Sequence, residues 1–264
     1  MYQRDFDFLH HNEANLLSVH LTADSFFYGI FDSQNKLLCH KSFNNILFSD
    51  DITLWQIINN EKLQVTYNNV SVQVASGNCH LLPEPDHEFI NQFPGLELKN
   101  IKIEKCVGRE VYAYFGITSH QEFLLDRLFN SGDYTLHHFS NQLASYYLAQ
   151  TGNIIHAHID QDVLTLYLQI NGLFMFYNSF KTVGINDILY FILAVYKEKG
   201  LDPTLDELTL SGWVEKNSTL YNLLFAYIAN IRLTNDFLMT LSSECSDEYK
   251  PHFYFDHFIN AICA

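Results

Sequence analysis

A strand–turn–strand pattern occurs twice in this chain, about half a chain apart. The first copy is VHLTADSFFYGIFDSQNKLLCHKSF, residues 19–43, and the second is AHIDQDVLTLYLQINGLFMFYNSF, residues 157–180. His20, Leu21, Asp24, Phe26, Tyr28 and Ile30 align with His158, Ile159, Asp162, Leu164, Leu166 and Leu168. Both copies close on Ser-Phe once the second turn is shortened by one residue. A sheet-forming unit repeated at this distance predicts two related subdomains. The 264 residues, 48% of them hydrophobic, suffice for two modest cores or one large one.

The segments around each copy fill out the plan. Residues 16–43 read as two alternating strands about the turn-forming Asp32-Ser33-Gln34-Asn35. Residues 50–61 place Ile52, Trp55, Ile57 and Ile58 at near-helical spacing behind an N-cap at Asp50 or Asp51. Residues 70–75, 99–107, 110–117 and 134–138 read as strands. Pro83-Glu84-Pro85 and Phe93-Pro94-Gly95 break the chain, with a short helix at 86–92 between them. Thr118 caps a helix through residue 130, and residues 139–149 form another. Thr151-Gly152-Asn153 marks the boundary, which predicts domains at 1–150 and 151–264.

The second half restarts with the repeated hairpin. A helix at 184–199 ends at Gly200, and a strand at 207–210 runs into Ser211-Gly212. Asn217 or Ser218 caps a helix through residue 229, and a helical stretch at 251–262 closes the chain. Strands followed by helices, made twice, predict an α/β fold of two mixed sheets, each flanked by helices, with a central cleft. The apolar stretches 188–196 and 220–231 read as core, with a partner surface as the alternative.

Composition excludes several classes. Thirty acidic residues against fifteen basic ones give a formal net charge of −15. Neutralising phosphates takes clustered Lys and Arg, and these basic residues are scattered, so nucleic acid is not an expected partner. Cys39, Cys79, Cys106, Cys245 and Cys263 lie far apart and form no CxxC, which argues for free thiols rather than a zinc ribbon or a disulfide scaffold. The longest apolar run, residues 188–196, falls short of the ~20 residues of a membrane span. The start, MYQRDFDF, has no basic region followed by an apolar core. A cytoplasmic protein without membrane insertion is expected.

Few residues carry an obvious chemistry. His156, His158, Asp160 and Asp162 alternate, so one strand would point all four the same way. They faintly resemble the HxHxDH motif of binuclear metal hydrolases, with Gln161 where that motif has its next His. The alternative is a polar strand face whose His and Asp bond one another. His10-His11 and His137-His138 are neighbours that point apart, and His252 and His257 read as surface or partly buried groups. There is no GxSxG, GxxxxGK[ST] or GxGxxG. Ser211-Gly212-Trp213 reads as a turn with a packed indole.

The order of these elements resembles the actin-like ATPase superfamily, with its ribonuclease H-like duplicated fold. Actin, sugar kinases, chaperone ATPases and the pilus-assembly proteins belong to it. More narrowly, residues 17–26, LSVHLTADSF, and the ending YFDHFINAICA, residues 254–264, resemble an uncharacterised bacterial family, domain of unknown function 3822, nearest the pilus-assembly branch. The superfamily resemblance implies two hairpin turns that cradle nucleotide phosphates. Each would carry an Asp near the strand end, for metal or water, and a Gly two residues later, for close backbone approach. A third Gly-bearing turn would pack on adenine.

On those positions fall Thr22 and Asp24 in the first turn, Asp160 and Asp162 in the second, and Ser211 and Gly212 in the third. Both phosphate turns thus carry an aspartate in place of glycine. Like charges ~4 Å apart repel by several kcal/mol at an effective dielectric of 20. The resemblance therefore implies a non-catalytic scaffold or assembly protein with a degenerate nucleotide site, acting through protein partners or as a homo-oligomer. The alternative is a MgATP-dependent ATPase or kinase using Asp160 with Mg2+ and Asp24 or Asp162 in a modified role. A third reading is a metal-dependent hydrolase built on His156, His158, Asp160 and Asp162.

Overall fold

The computed structural model describes residues 5–9, 14–75, 79–86, 88–92, 101–106, 108, 110–129, 133–235, 239–245 and 248–262. The expected break at Phe93-Pro94-Gly95, the pair His10-His11, and Cys263-Ala264 lie outside them. The chain divides into two compact units, Met1–Ser145 with Leu238–Glu248 and Asp256–Ala264, and Tyr146–Phe237 with Tyr249–Phe255.

The first unit holds β1 (Phe6–Asp7), β2 (Leu16–Leu21), β3 (Phe26–Phe31), β4 (Lys36–Phe43), α1 (Asp51–Ile58), β5 (Asn69–Val74), β6 (Cys79–Leu82), β7 (Ile101–Lys105), β8 (Tyr112–Gly116), α2 (Ser119–Leu128) and β9 (Thr135–His138). Helix α3 (Phe139–Tyr146) leads out of it. The second unit holds β10 (Ile154–Asp160), β11 (Val163–Ile170), β12 (Leu173–Lys181), α4 (Ile185–Glu198), β13 (Leu208–Gly212), α5 (Thr219–Phe225) and β14 (Ile231–Leu233). The chain then adds β15 (Thr240–Leu241) beside β4 and ends in α6 (Phe255–Ile262).

The two large sheets share one plan. In the first, β4, β3 and β2 are antiparallel neighbours, and β5 and β9 follow β2 in parallel. In the second, β12, β11 and β10 are antiparallel neighbours, and β13 and β14 follow β10 in parallel. Strands β6, β8 and β7 make a separate antiparallel sheet.

Residues 16–43 contain three strands, where alternation alone reads two. The extra turn, Thr22 to Ser25, has neither Gly nor Pro to announce it. It closes by the Thr22 N–H donating to the Ser25 carbonyl at 3.0 Å. Helix α5 stops at Phe225 instead of residue 229. The Ala226 N–H meets the carbonyls of Asn222, Leu223 and Leu224, and the chain then turns into β14.

In the second unit one sheet face is apolar. Ile155, Ala157 and Ile159 of β10 and Leu164, Leu166 and Leu168 of β11 pack against Ile188, Ile192 and Val195 of α4 and Leu220 and Leu224 of α5. The core reading of both helices holds for these residues.

The first unit buries a polar network beside its apolar core. The Asn260 amide of α6 donates to Ser18 Oγ (2.8 Å), the Val19 carbonyl (3.1 Å) and the Ser71 carbonyl (2.9 Å). Its Oδ1 accepts from Ser71 Oγ and Gln142 Nε2, both at 2.7 Å. His257 Nδ1 bonds Ser18 Oγ at 2.9 Å, and its Nε2 bonds His40 Nδ1 at 3.1 Å. Gly29 makes room for that ring, since a Cβ there would lie 3.0 Å from His257 Cγ. His252 and His257, expected as surface or partly buried groups, are fully buried, at 3% and 0% exposure. Expected within residues 151–264 as one half, Asp256, His257 and Asn260 bond instead to strands of the first unit. Asn260→Ala leaves two buried donors, Ser71 Oγ and Gln142 Nε2, without their acceptor and removes one of the bonds made by the Val19 and Ser71 carbonyls. A loss of about 2–3 kcal/mol is expected by urea denaturation. A loss under about 0.5 kcal/mol, the scale of a surface change, would mean the network is dispensable.

Candidate functional site

The first hairpin turn sits between β2 and β3. Asp24 is exposed and Thr22 half-buried. The Asp24 carboxylate accepts from Ser25 Oγ at 3.2 Å and Thr22 Oγ1 at 3.4 Å, and its carbonyl accepts the Ile46 N–H at 2.8 Å. Gln121 anchors the turn from α2. Its Oε1 accepts the Thr118 N–H (2.9 Å) in a capping box, and its Nε2 donates to the Thr22 carbonyl (2.7 Å). The T-x-x-Q spacing announces the capping box; nothing in the sequence announces the reach to Thr22, ninety-nine residues away.

The second turn is tighter. Asp160 pairs with Val163, leaving only Gln161 and Asp162 between the strands. Gln161 has φ 50°, in the left-handed region that non-glycine residues rarely enter. Asp162 and Asp24 are not in that region. What aspartate brings to both positions is therefore a Cβ and a charge, not a strained backbone. The Asp162 carbonyl accepts from Thr182 N (2.6 Å) and Oγ1 (3.0 Å). Its carboxylate lies 3.4 Å from Lys181 Nζ, an exposed pair of small energetic weight.

The third position lies on the neighbouring strand. Gly212 pairs with Ile159, and the Trp213 N–H donates to the Ile159 carbonyl at 2.7 Å. Gly212 has φ +79°, and a Cβ there would fall 2.1 Å from the Ile159 oxygen. The Ser211 side chain is buried, with its Oγ 2.8 Å from both His156 Nε2 and His158 Nδ1. His156 Nδ1 in turn meets the Tyr147 hydroxyl at 2.7 Å, and its ring stacks on Phe255 at 4.7 Å. Burial, with Arg232 adding to it, pushes the His156 pKa down to about 3. This is a chain of hydrogen bonds from Tyr147 through His156 and Ser211 to His158.

The four-residue face His156, His158, Asp160 and Asp162 does not form as read from alternation. Strand β10 ends at Asp160, so Asp162 stands in the turn, and both imidazoles are engaged with Ser211. Among the described residues no group of three or more His, Cys, Asp or Glu is placed to hold a metal ion. Also among them, no helix is long and apolar enough to cross a membrane. Cys39, Cys79, Cys106 and Cys245 are free thiols.

A family profile described as "Protein of unknown function (DUF3822)" matches residues 4–231. No curated protein matches the chain. Three solved structures resemble it over most of its length. One is a Bacteroides thetaiotaomicron protein with actin-like ATPase fold and unknown function, at TM-score 0.69 and 22% identity, covering 84% of this chain and 91% of that one. Another is a chain of a PilM-PilN type IV pilus biogenesis complex, at TM-score 0.61 and 12% identity, covering 95% and 98%. A third is the ethanolamine utilization protein EutJ from Carboxydothermus hydrogenoformans, at TM-score 0.52 and 10% identity, covering 96% and 90%. The fold is therefore that of the actin-like ATPases.

Proposed function

We propose that this chain, which belongs to the DUF3822 family and has the actin-like ATPase fold, is a non-catalytic scaffold or assembly protein whose nucleotide site has degenerated. The observation that carries the reading is the carboxylate at both phosphate-turn positions, Asp24 and Asp162. Each is exposed on its turn, where a phosphate would have to approach closely. Two anions brought to contact repel by several kcal/mol even at an effective dielectric of 20. Thr22 stands where the first turn would carry its metal-holding aspartate, so that turn offers a hydroxyl and no compensating cation. These residues do not fit MgATP as the fold usually holds it. The two units would then serve as a frame for protein contacts, and the likeness to a chain of the PilM-PilN complex supports a protein partner.

Thermal unfolding with MgATP, MgADP and EDTA tests the reading. A ligand at hundredfold excess over its Kd adds ~2.7 kcal/mol, a shift of several degrees. No shift with either nucleotide is expected. A MgATP shift that EDTA removes would overturn the scaffold reading.

One observation favours the second reading, a MgATP-dependent ATPase or kinase. Asp160 is retained at the end of β10, and Gly212 pairs one residue before it on the adjacent strand. On that reading Asp160→Ala abolishes the MgATP shift, whereas a shift that survives the substitution removes Asp160 from any binding role.

A further inference from the structure

The apolar face of helix α4 extends beyond the core. Ile188, Ile192, Val195 and Tyr196 face the core of the second unit. Leu189 and Leu193, partly buried at the edge of that core, line with Tyr190 and Ala194 a groove of about 510 Å3 bounded by Lys197 and by Tyr227 beyond α5. Tyr190 is 67% exposed and Tyr227 56%. A partly exposed apolar stripe with two amphipathic tyrosines is the composition of a protein contact rather than of a solvated helix face.

We propose that this groove pairs two copies of the chain, α4 against α4, antiparallel about a two-fold axis. The pattern of sizes and charges along the helix is self-complementary, as an isologous contact requires. Antiparallel register centred on Ile192 sets Tyr190 against Ala194 of the second copy, large against small, and does so twice. The same register sets Asp187 against Lys197 of the second copy. The charged residues that line the groove, Lys197 and Glu198, sum to zero, on a chain whose net charge is −15. This face is thus one that a second, equally acidic copy can approach without local repulsion, and it offers no acidic rim to attract a basic partner. The pairing does not depend on nucleotide.

The contact is small. Fourteen residues of α4 span about 21 Å, which puts the interface at the low end of specific contacts and the Kd in the micromolar range. Sedimentation equilibrium of the full chain, from about 1 to 500 μM, reads it directly. A reversible monomer–dimer equilibrium is expected. Tyr190→Lys puts a charge at the centre of the contact and should weaken it at least about tenfold. Lys197→Glu should weaken it as well. The charge test is placed on Lys197 because the Asp187 carboxylate also accepts the Val183 N–H at 2.8 Å and so ties the first turn of the helix to the chain before it. Both substituted side chains are exposed, so each variant should keep the parent melting temperature. A chain that stays monomeric across the range, or a dimer that Tyr190→Lys leaves intact, would overturn the proposal.

Discussion

Gly212→Ala is expected to destabilise the protein by about 3–5 kcal/mol, among the largest effects a single methyl group can have. Two costs add at this position. The backbone is at φ +79°, where an L side chain costs roughly 1–2 kcal/mol. The new Cβ would also fall 2.1 Å from the Ile159 oxygen, 2.9 Å from its carbon and 3.0 Å from its nitrogen. Those atoms are backbone and cannot swing aside. Relief requires parting β13 from β10, which breaks the bond from Trp213 N–H to the Ile159 carbonyl and disturbs the Ser211 contacts beside it. Gly200 provides the control. It has φ +68° and ends α4, with nothing within 4 Å of its would-be Cβ. Gly200→Ala should therefore cost only the conformational part, about 1 kcal/mol. Urea denaturation of both variants separates strain from collision. Equal losses would mean that the strands shift apart at little cost and that the close approach at Gly212 is not essential to the fold.

That glycine also shows where sequence reasoning ends. Ser211-Gly212 was legible as a strand end followed by a turn, and by resemblance as a turn of an actin-like fold. The contact that demands glycine there is with Ile159, fifty-three residues earlier, and no spacing encodes it. The long periodic elements were similarly legible. Helices α1, α2 and α4 announce themselves by Asp50, by Thr118 with Gln121, and by apolar spacing ended at Gly200. The short strands β1, β6, β14 and β15 did not, because two to four residues have no period of their own and are strands only by virtue of a neighbour. The buried polar network of the first unit was hidden for a different reason. Ser18 and His20 alternate with Leu17, Val19 and Leu21, which reads as a strand with one wet face. The face is dry because Asp256, His257 and Asn260, some 240 residues later, supply the hydrogen bonds that water otherwise would. The two segments that carry the family resemblance, at 17–26 and 254–264, thus meet in space through their polar residues.

Lowering the pH from 7 to 5 is expected to remove several kcal/mol of stability. Burial, reinforced by neighbouring imidazoles for two of them and by Arg232 for the third, pushes His40, His257 and His156 each down to about 3. His20 is lowered too, by burial, against the pull of the Asp256 carboxylate 3.5 Å away. In the unfolded chain each returns to about 6.5. The folded values are depressed, so below pH 6.5 the unfolded chain takes up protons that the folded one refuses. The stabilisation is complete above pH 6.5 and is lost progressively as pH falls toward 3. At pH 5 each of the three costs about 2 kcal/mol, about 4 kcal/mol in the first unit and about 2 kcal/mol in the second, a large part of the 5–15 kcal/mol that a domain has in total. His40 and His257 are in contact at 3.1 Å, so a proton on one repels a proton on the other and the pair offers no early escape. His156 lies in the second unit, so the loss is not confined to the first. Urea unfolding at intervals from pH 8 to pH 4 should show a plateau above 7 and a fall below 6.5, with unfolding near pH 5 drawing in about three protons. A stability that holds steady to pH 5 and falls only below 4 would assign the acid transition to carboxylates, and would mean that these imidazoles meet protons in the folded chain as readily as in water.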